Sequence, residues 1–157
     1  DIRLLPEGDV MLVAPSGFVV GIERKTVADF LASIADGRLD GQVARGCTTY
    51  GLFIIALEGT WSILNQDAYD GPEKDPKGPF IKAGGRKRAW RASSFWAKLL
   101  SIQRQNANLY LLPTPSKDGT AQLVKALSRH IAAWPSDGKA CALTSTSVSA
   151  AASAEGT

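Results

Sequence analysis

Residues 51–58, Gly-Leu-Phe-Ile-Ile-Ala-Leu-Glu, form an unbroken apolar run that stops on an acid. Such a run suits a central strand covered on both faces, because without polar alternation neither side can be left in water. The flanking segments supply the cover. Val27, Phe30, Leu31 and Ile34 recur at helical spacing, with Thr26 as the expected N-cap, Asp29 three residues on and Gly37 as the stop. A second short helix follows, with Leu39, Val43, Cys47 and Tyr50 on one face. Residues 9–14 and 18–23 read as strands around the Pro15-Ser16-Gly17 turn, so 9–23 is predicted to be a hairpin with Glu23 at the end of its second strand.

Ile2 to Leu5 read as a further, short strand. Downstream, Ser93 or Ser94 is the expected cap of a helix with Phe95, Trp96, Leu99, Leu100 and Ile102 inward. Leu109–Leu112 is a predicted strand stopped by Pro113 and Pro115, and residues 119–134 a last helix with Leu123, Val124, Leu127, Ile131 and Trp134 on one stripe. His130 falls at the edge of that stripe and reads as structural. The order β-β-α-α-β-loop-α-β-α predicts an α/β domain, a sheet layered between helices.

A chain of 157 residues, 45% of them hydrophobic, suffices for one domain with a proper core. No apolar run approaches the ~20 residues needed to cross a bilayer, and no membrane partner is expected. The first residue is Asp, which suggests a fragment or a processed product, and no signal peptide is visible. Two cysteines, Cys47 and Cys141, make neither a disulfide framework nor a zinc cluster, so a reducing, intracellular setting is expected. The net charge is only +3, but Lys82, Arg86, Lys87, Arg88 and Arg91 cluster without an intervening acid. A patch of that kind attracts polyanions, and Trp90 within it suits stacking on a base or sugar. The surrounding 65–92 stretch, with its prolines, glycines and charges, reads as a long basic loop. The Ser/Thr/Ala-rich residues 137–157 are expected to be a disordered tail.

The charges that demand explanation are Glu23-Arg24-Lys25, packed against the end of Phe18-Val19-Val20, with Gly8-Asp9 upstream. Alone, the triplet would be a solvated strand end. In the predicted hairpin, however, Asp9 opens one strand and Glu23 closes the other, which brings the two carboxylates near each other. Lys25 follows Glu23 by two residues and so shares its side in an extended segment, while Arg24 points elsewhere, toward a DNA phosphate or Asp29. Two carboxylates for a divalent cation and a lysine for water or phosphate are the parts of a metal-dependent phosphodiester-cleaving site. Glu58, after its apolar run, is a candidate third carboxylate; it could equally end a strand at solvent. Asp29 is equally a cap residue or a site residue.

The pattern Gly8-Asp9, then Glu23-Arg24-Lys25-x-x-x-Asp29, resembles the signature of the XPF-type structure-specific endonucleases, a branch of the PD-(D/E)xK superfamily. Ser33, Gly37-Arg38-Leu39 and Gln42 resemble the family's next helical segment, and Phe53 to Glu58 its next core strand. The similarity extends over most of residues 4–134, with 65–92 unmatched. It implies a restriction-endonuclease-like mixed central sheet flanked by helices on both faces, spanning residues 1–136. It also implies a DNA endonuclease acting on branched, flap or other structured DNA with Mg²⁺ or Mn²⁺, in DNA repair or recombination. Asp9 and Glu23, with Glu58 as an added candidate, would bind metal. Lys25 would activate water or stabilise the transition state, Arg24 would be required for cleavage, and Asp29 would support the site. Arg38 and Gln42 would lie near the DNA path. Lys82, Arg86, Lys87, Arg88 and Arg91, in the unmatched stretch, are DNA-contact candidates on their clustered charge alone. Family members usually dimerise, so a homodimer or heterodimer through this domain is expected.

Two family features have no counterpart in the sequence: an upstream strand ending in an Asp-x-Arg-Glu type motif, and a tandem helix-hairpin-helix domain. Branch specificity is therefore not expected to be inherited, and a compact bacterial or viral relative is suggested, acting in the cytoplasm or nucleoid (the nucleus in a eukaryote). Two other functions fit the same residues. One is a non-catalytic DNA-binding module derived from the nuclease fold; the other is a restriction-type or phage recombination nuclease. The retained charges favour an enzyme.

Overall fold

The computed structural model of the chain describes residues 5, 7–64, 80–83 and 90–134, the side chains of 61–64, 80–83 and 90 excepted. The strand expected at residues 2–5 and the tail expected at 137–157 lie outside the described residues, Leu5 apart.

The hairpin forms. Strand β1 (Val10–Val13) runs antiparallel to β2 (Val19–Thr26), with Val10 opposite Ile22 and Val13 opposite Val19. Its turn closes through Ala14 N–H donating to Phe18 O at 2.8 Å and Gly17 N–H donating to Ala14 O at 2.9 Å. β2 runs longer than the hydrophobic pattern implies. It continues through Glu23, Arg24 and Lys25 to Thr26 because a second partner takes over there: β3 (Leu52–Glu58) pairs with it in parallel from Val20↔Leu52 to Thr26↔Glu58.

Helix α1 (Val27–Ala35) starts where the ladder ends. Thr26 Oγ1 accepts Asp29 N–H at 3.1 Å and donates to Asp29 Oδ2 at 2.7 Å, so both residues of the expected cap are engaged. Gly37, in the left-handed region at φ +76°, turns the chain into α2 (Arg38–Thr49). Helix α3 (Ala92–Gln105) begins just ahead of the expected serines, with Arg91 at the N-cap and no side-chain cap. Strand β7 (Leu109–Thr114) passes through Pro113, which pairs opposite Leu57; a proline is tolerated because β7 stands last in the sheet order. Helix α4 (Lys117–His130) follows, capped by Ser116, and passes into a 3₁₀ turn at Ile131–Ala133.

The sheet order is β1-β2-β3-β7, with β1 antiparallel and the other three parallel. β3 sits inside and every one of its residues is buried. Its side chains divide by parity. Phe53, Ile55 and Leu57 enter a core with Phe30, Leu39 and Phe95 from α1, α2 and α3. Leu52, Ile54 and Ala56 enter another with Val20 and Ile22, against which Leu123 and Leu127 of α4 pack. Helices thus cover both faces, as the apolar run demanded. Each fully buried Phe, Ile or Leu contributes about 1.5–3 kcal/mol of transfer free energy.

The 65–92 stretch departs from the expected loop. Residues 80–83 and 90–91 are strands β5 (Phe80–Ala83) and β6 (Trp90–Arg91), which join β4 (Trp61–Leu64) in a separate antiparallel sheet of order β4-β5-β6. The runs are too short for periodicity to register, and only their pairing makes them strands.

Candidate active site

Strand alternation sorts the Glu-Arg-Lys triplet. In the parallel register Glu23 lies beside Ile55 and Lys25 beside Leu57, both of which face α1–α3; Arg24 lies beside Ala56, which faces α4. Glu23 and Lys25 therefore share one face, with Lys25 Nζ 3.8 Å from Glu23 Oε1 and Lys25 only 8% exposed. Arg24 sits on the other.

Asp9 joins Glu23 and Lys25 from the strand edge. Its N–H donates to Ile22 O at 2.8 Å and its Oδ2 accepts the backbone N–H of Arg24 at 2.7 Å. Gly8 enables that approach. It stands at φ +81°, and a Cβ there would lie 3.0 Å from Ile22 O. The exposed Asp9 and the half-buried Glu23 carry charges of one sign, with a consequence for Glu23. Burial, and next the Asp9 carboxylate, push the Glu23 pKa upward; Lys25 opposes the shift and Glu7 adds to it.

The Asp9–Glu23 pair is a set of hard oxygen donors with excess negative charge, which fits Mg²⁺ or Mn²⁺, ions commonly held through one or two carboxylates with water and phosphate completing the shell. Among the described residues no group of three or more His, Cys, Asp or Glu converges. Glu58 does not join the pair. It is 8% exposed on the α4 face, where the Arg24 guanidinium grips it two-pronged: Nε donates to Oε2, and Nη2 to Oε1 at 3.3 Å. Thr120 Oγ1 donates to Oε2 at 3.2 Å, and Thr114 Oγ1 stands 2.8 Å from Thr120 Oγ1. The Arg24 hydrogen bond holds Glu58 below the usual carboxylate range and raises the pKa of Arg24 itself. A cleft of about 560 Å³ opens beside Glu58, lined by Thr26, Gly59, Ser116 and Lys117 among others; Asp9, Glu23 and Lys25 lie outside it.

The remaining expected site residues scatter around this centre. Asp29 is held by Thr26 in the α1 cap, and Ser33 Oγ donates to its carbonyl at 2.7 Å. Arg38, on the exposed start of α2, pairs with Asp36 at 2.7 Å and holds that carboxyl below its usual range. Gln42, one turn on, has its Oε1 shielded from solvent and without a hydrogen-bond partner among the described residues. Arg91 is exposed at the start of α3; Lys82 lies on β5 with its side chain outside the described residues, as Arg86, Lys87 and Arg88 are entirely.

Sequence reasoning missed a second support. Glu7, next to Gly8-Asp9, accepts from Arg45 Nε with its carboxylate and from Tyr50 Oη with its carbonyl. Tyr50 stacks on Phe53 at 6.0 Å. Tyr50 was visible only as an apolar position on the α2 face, and nothing in spacing announces a partner so distant in sequence.

Ionisation of Glu23 sets a stability prediction. Its folded-state pKa is raised, so between the ordinary and the raised value the folded chain binds more protons than the unfolded one, and stability falls as pH rises through that window. In metal-free protein Glu23→Gln is expected to raise the melting temperature at neutral pH. The difference should vanish below the ordinary carboxylate range, and Mg²⁺ should narrow it by stabilising the wild type. Thermal melts of both proteins across pH, with EDTA and with Mg²⁺, check this; a Glu23→Gln chain less stable than wild type at neutral pH would refute it.

Known proteins share the family and the fold. The family model described as the ERCC4 domain matches residues 1–127. XPF from Aeropyrum pernix superposes at a TM-score of 0.55 with 29% identity over 82% of this chain and 52% of that one. The same protein in complex with DNA matches at a TM-score of 0.55 and 29% identity, covering 82% and 50%. The chain thus spans about half the length of these structures. No curated protein sequence matches it. With the mixed sheet, the helices on both faces, and Gly8-Asp9 ahead of β1 beside Glu23-Arg24-Lys25 on β2, the chain belongs to the ERCC4 family of XPF-type nuclease domains.

Proposed function

We propose that the chain is a divalent-metal-dependent DNA endonuclease that hydrolyses phosphodiester bonds in branched, flap or otherwise structured DNA. The observation that carries this reading is the convergence of Asp9, Glu23 and buried Lys25 at the β1–β2 edge, on a family match spanning residues 1–127. A bound Mg²⁺ would lower the pKa of a water and draw charge off the phosphate. Asp9 and Glu23 would hold the ion, Asp9 being oriented by the Arg24 N–H. Lys25 Nζ, beside Glu23, would position the attacking water or neutralise charge that develops on the phosphate. An exposed strand edge, not a closed pocket, is what a polymeric substrate requires.

DNA is the proposed partner, on the complex of the Aeropyrum pernix protein with DNA and the exposed cations Arg38 and Arg91. Trp96 and Leu100, one turn apart on α3 and 44% and 69% exposed, support a contact with a second nuclease-type chain. A labelled flap, fork, nicked and blunt duplex series incubated with Mg²⁺ or EDTA tests the reading. Cleavage of structured substrates with Mg²⁺ alone is expected; binding without cutting under any metal would leave a DNA-binding module instead.

A further inference from the structure

We propose that Arg24 serves this site as a positioning residue, not as a group that touches DNA, and that Glu58 and Thr120 are its seat. The inference rests on the nuclease reading and deepens it. Arg24 does two things at once. Its backbone N–H donates to Asp9 Oδ2 at 2.7 Å, on the side of the strand where the carboxylates meet. Its guanidinium, on the α4 face, takes both oxygens of Glu58. A two-pronged guanidinium–carboxylate pair fixes orientation as well as separation. Because Glu58 ends the buried central strand and Thr120 is the buried residue of α4, the chain Thr120–Glu58–Arg24 ties the end of β2 to both.

The residues around the pair fit this role. Glu58 and Thr120 are 8% and 7% exposed, and Thr114, at 5%, backs the Thr120 hydroxyl at 2.8 Å. Strand alternation aims the Arg24 side chain away from the face that carries Glu23 and Lys25, so a phosphate held by that pair would not meet the guanidinium. Glu58, both of whose oxygens accept from Arg24, serves the metal site only through Asp9. Removing the Glu58 charge would release the Arg24 guanidinium and loosen Arg24 within the β2–β3 ladder, and with it the N–H that orients Asp9.

The test uses the 157-residue chain with Arg24→Ala, Glu58→Gln, Thr120→Val and Thr120→Ser, and the Arg24→Ala/Glu58→Gln double variant. Four quantities are read: kcat and KM on the substrate that the wild type cleaves, Mn²⁺ affinity without DNA by calorimetry, and DNA affinity in EDTA. Loss of such a supporting contact typically lowers metal affinity or activity by about 10–100-fold, and Glu58→Gln is expected to lower kcat and Mn²⁺ affinity by about tenfold with KM and DNA affinity unchanged. Thr120→Val should give a smaller loss of the same kind, and Thr120→Ser should restore it. The double variant should be no worse than Arg24→Ala, because both act through one contact.

Losses that multiply in the double variant would overturn the proposal, as would a Glu58→Gln chain with wild-type kcat beside an Arg24→Ala chain defective in KM. If Glu58→Gln does not fold, Thr120→Val and Thr120→Ser decide alone, and equal kcat in the two overturns it. These failures leave wild-type cleavage intact. A wild type that cuts no substrate would instead remove the nuclease reading and the positioning role together.

Discussion

Lys25→Ala is expected to lower Mg²⁺-dependent cleavage by about a thousandfold, equivalent to roughly 4 kcal/mol of transition-state stabilisation, with DNA affinity and melting temperature close to wild type. The size follows from where the ammonium sits. Lys25 is 8% exposed, with Nζ 3.8 Å from Glu23 Oε1, so its charge acts on the site through little intervening water. A cation in that position matters most when negative charge accumulates on the phosphate, which is the step an alanine leaves uncompensated. Binding, by contrast, is spread over the many phosphates of the substrate, and one missing cation among them is minor. Lys125, exposed on the far stretch of α4, is the control: Lys125→Ala should cleave as wild type does. Single-turnover rates on one labelled substrate compare the two. A Lys25→Ala chain within a few-fold of wild type would show that the Glu-Arg-Lys triplet is a strand end and nothing more.

That cluster could be read from the sequence because its logic is local. Glu23 and Lys25 share a side by the two-residue period of a strand, and the Pro15-Ser16-Gly17 turn folds Asp9 back toward them. The central strand was equally legible, since an apolar run without alternation has few other places to go. What escaped depends on pairings across long sequence distance. β2 extends to Thr26 because β3 pairs along it, and the Arg24–Glu58 pair forms because the same register sets two side chains of matching parity at adjacent strand ends. No spacing rule joins residues 24 and 58, so Glu58 read as a metal-site acid where the fold makes it a partner for Arg24. The sheet of β4, β5 and β6 escaped for the complementary reason: strands this short carry no period, and charge and glycine content around them spoke for a loop.

Gly21→Ala is the substitution expected to damage the fold most, by about 3 kcal/mol or more, with a drop in melting temperature on the order of 10 °C. The reason is space, not backbone freedom. A Cβ at Gly21 would lie 2.1 Å from Tyr50 Cδ2 and 2.3 Å from Cε2, well inside contact distance. Tyr50 has nowhere to go: its ring stacks on Phe53, itself 2% exposed, and its hydroxyl donates to the Glu7 carbonyl. Pushing the ring aside would therefore drag on the Glu7 peptide, which leads directly into Gly8 and Asp9. Cleavage measured below the variant's melting transition should fall about tenfold, through loss of Asp9 placement, as with other supporting contacts of a metal ligand. Truncating the obstacle gives the decisive comparison. Tyr50→Ala opens a cavity and is itself destabilising, yet in its background the extra methyl at Gly21 meets no ring, so the two losses should sum to more than the double variant shows. Strict additivity, or a Gly21→Ala chain that melts with the wild type, would mean that the ring does not press on Gly21. The same test reports on the site, because only a Tyr50 pinned at both ends transmits a methyl on β2 to the carboxylate of Asp9.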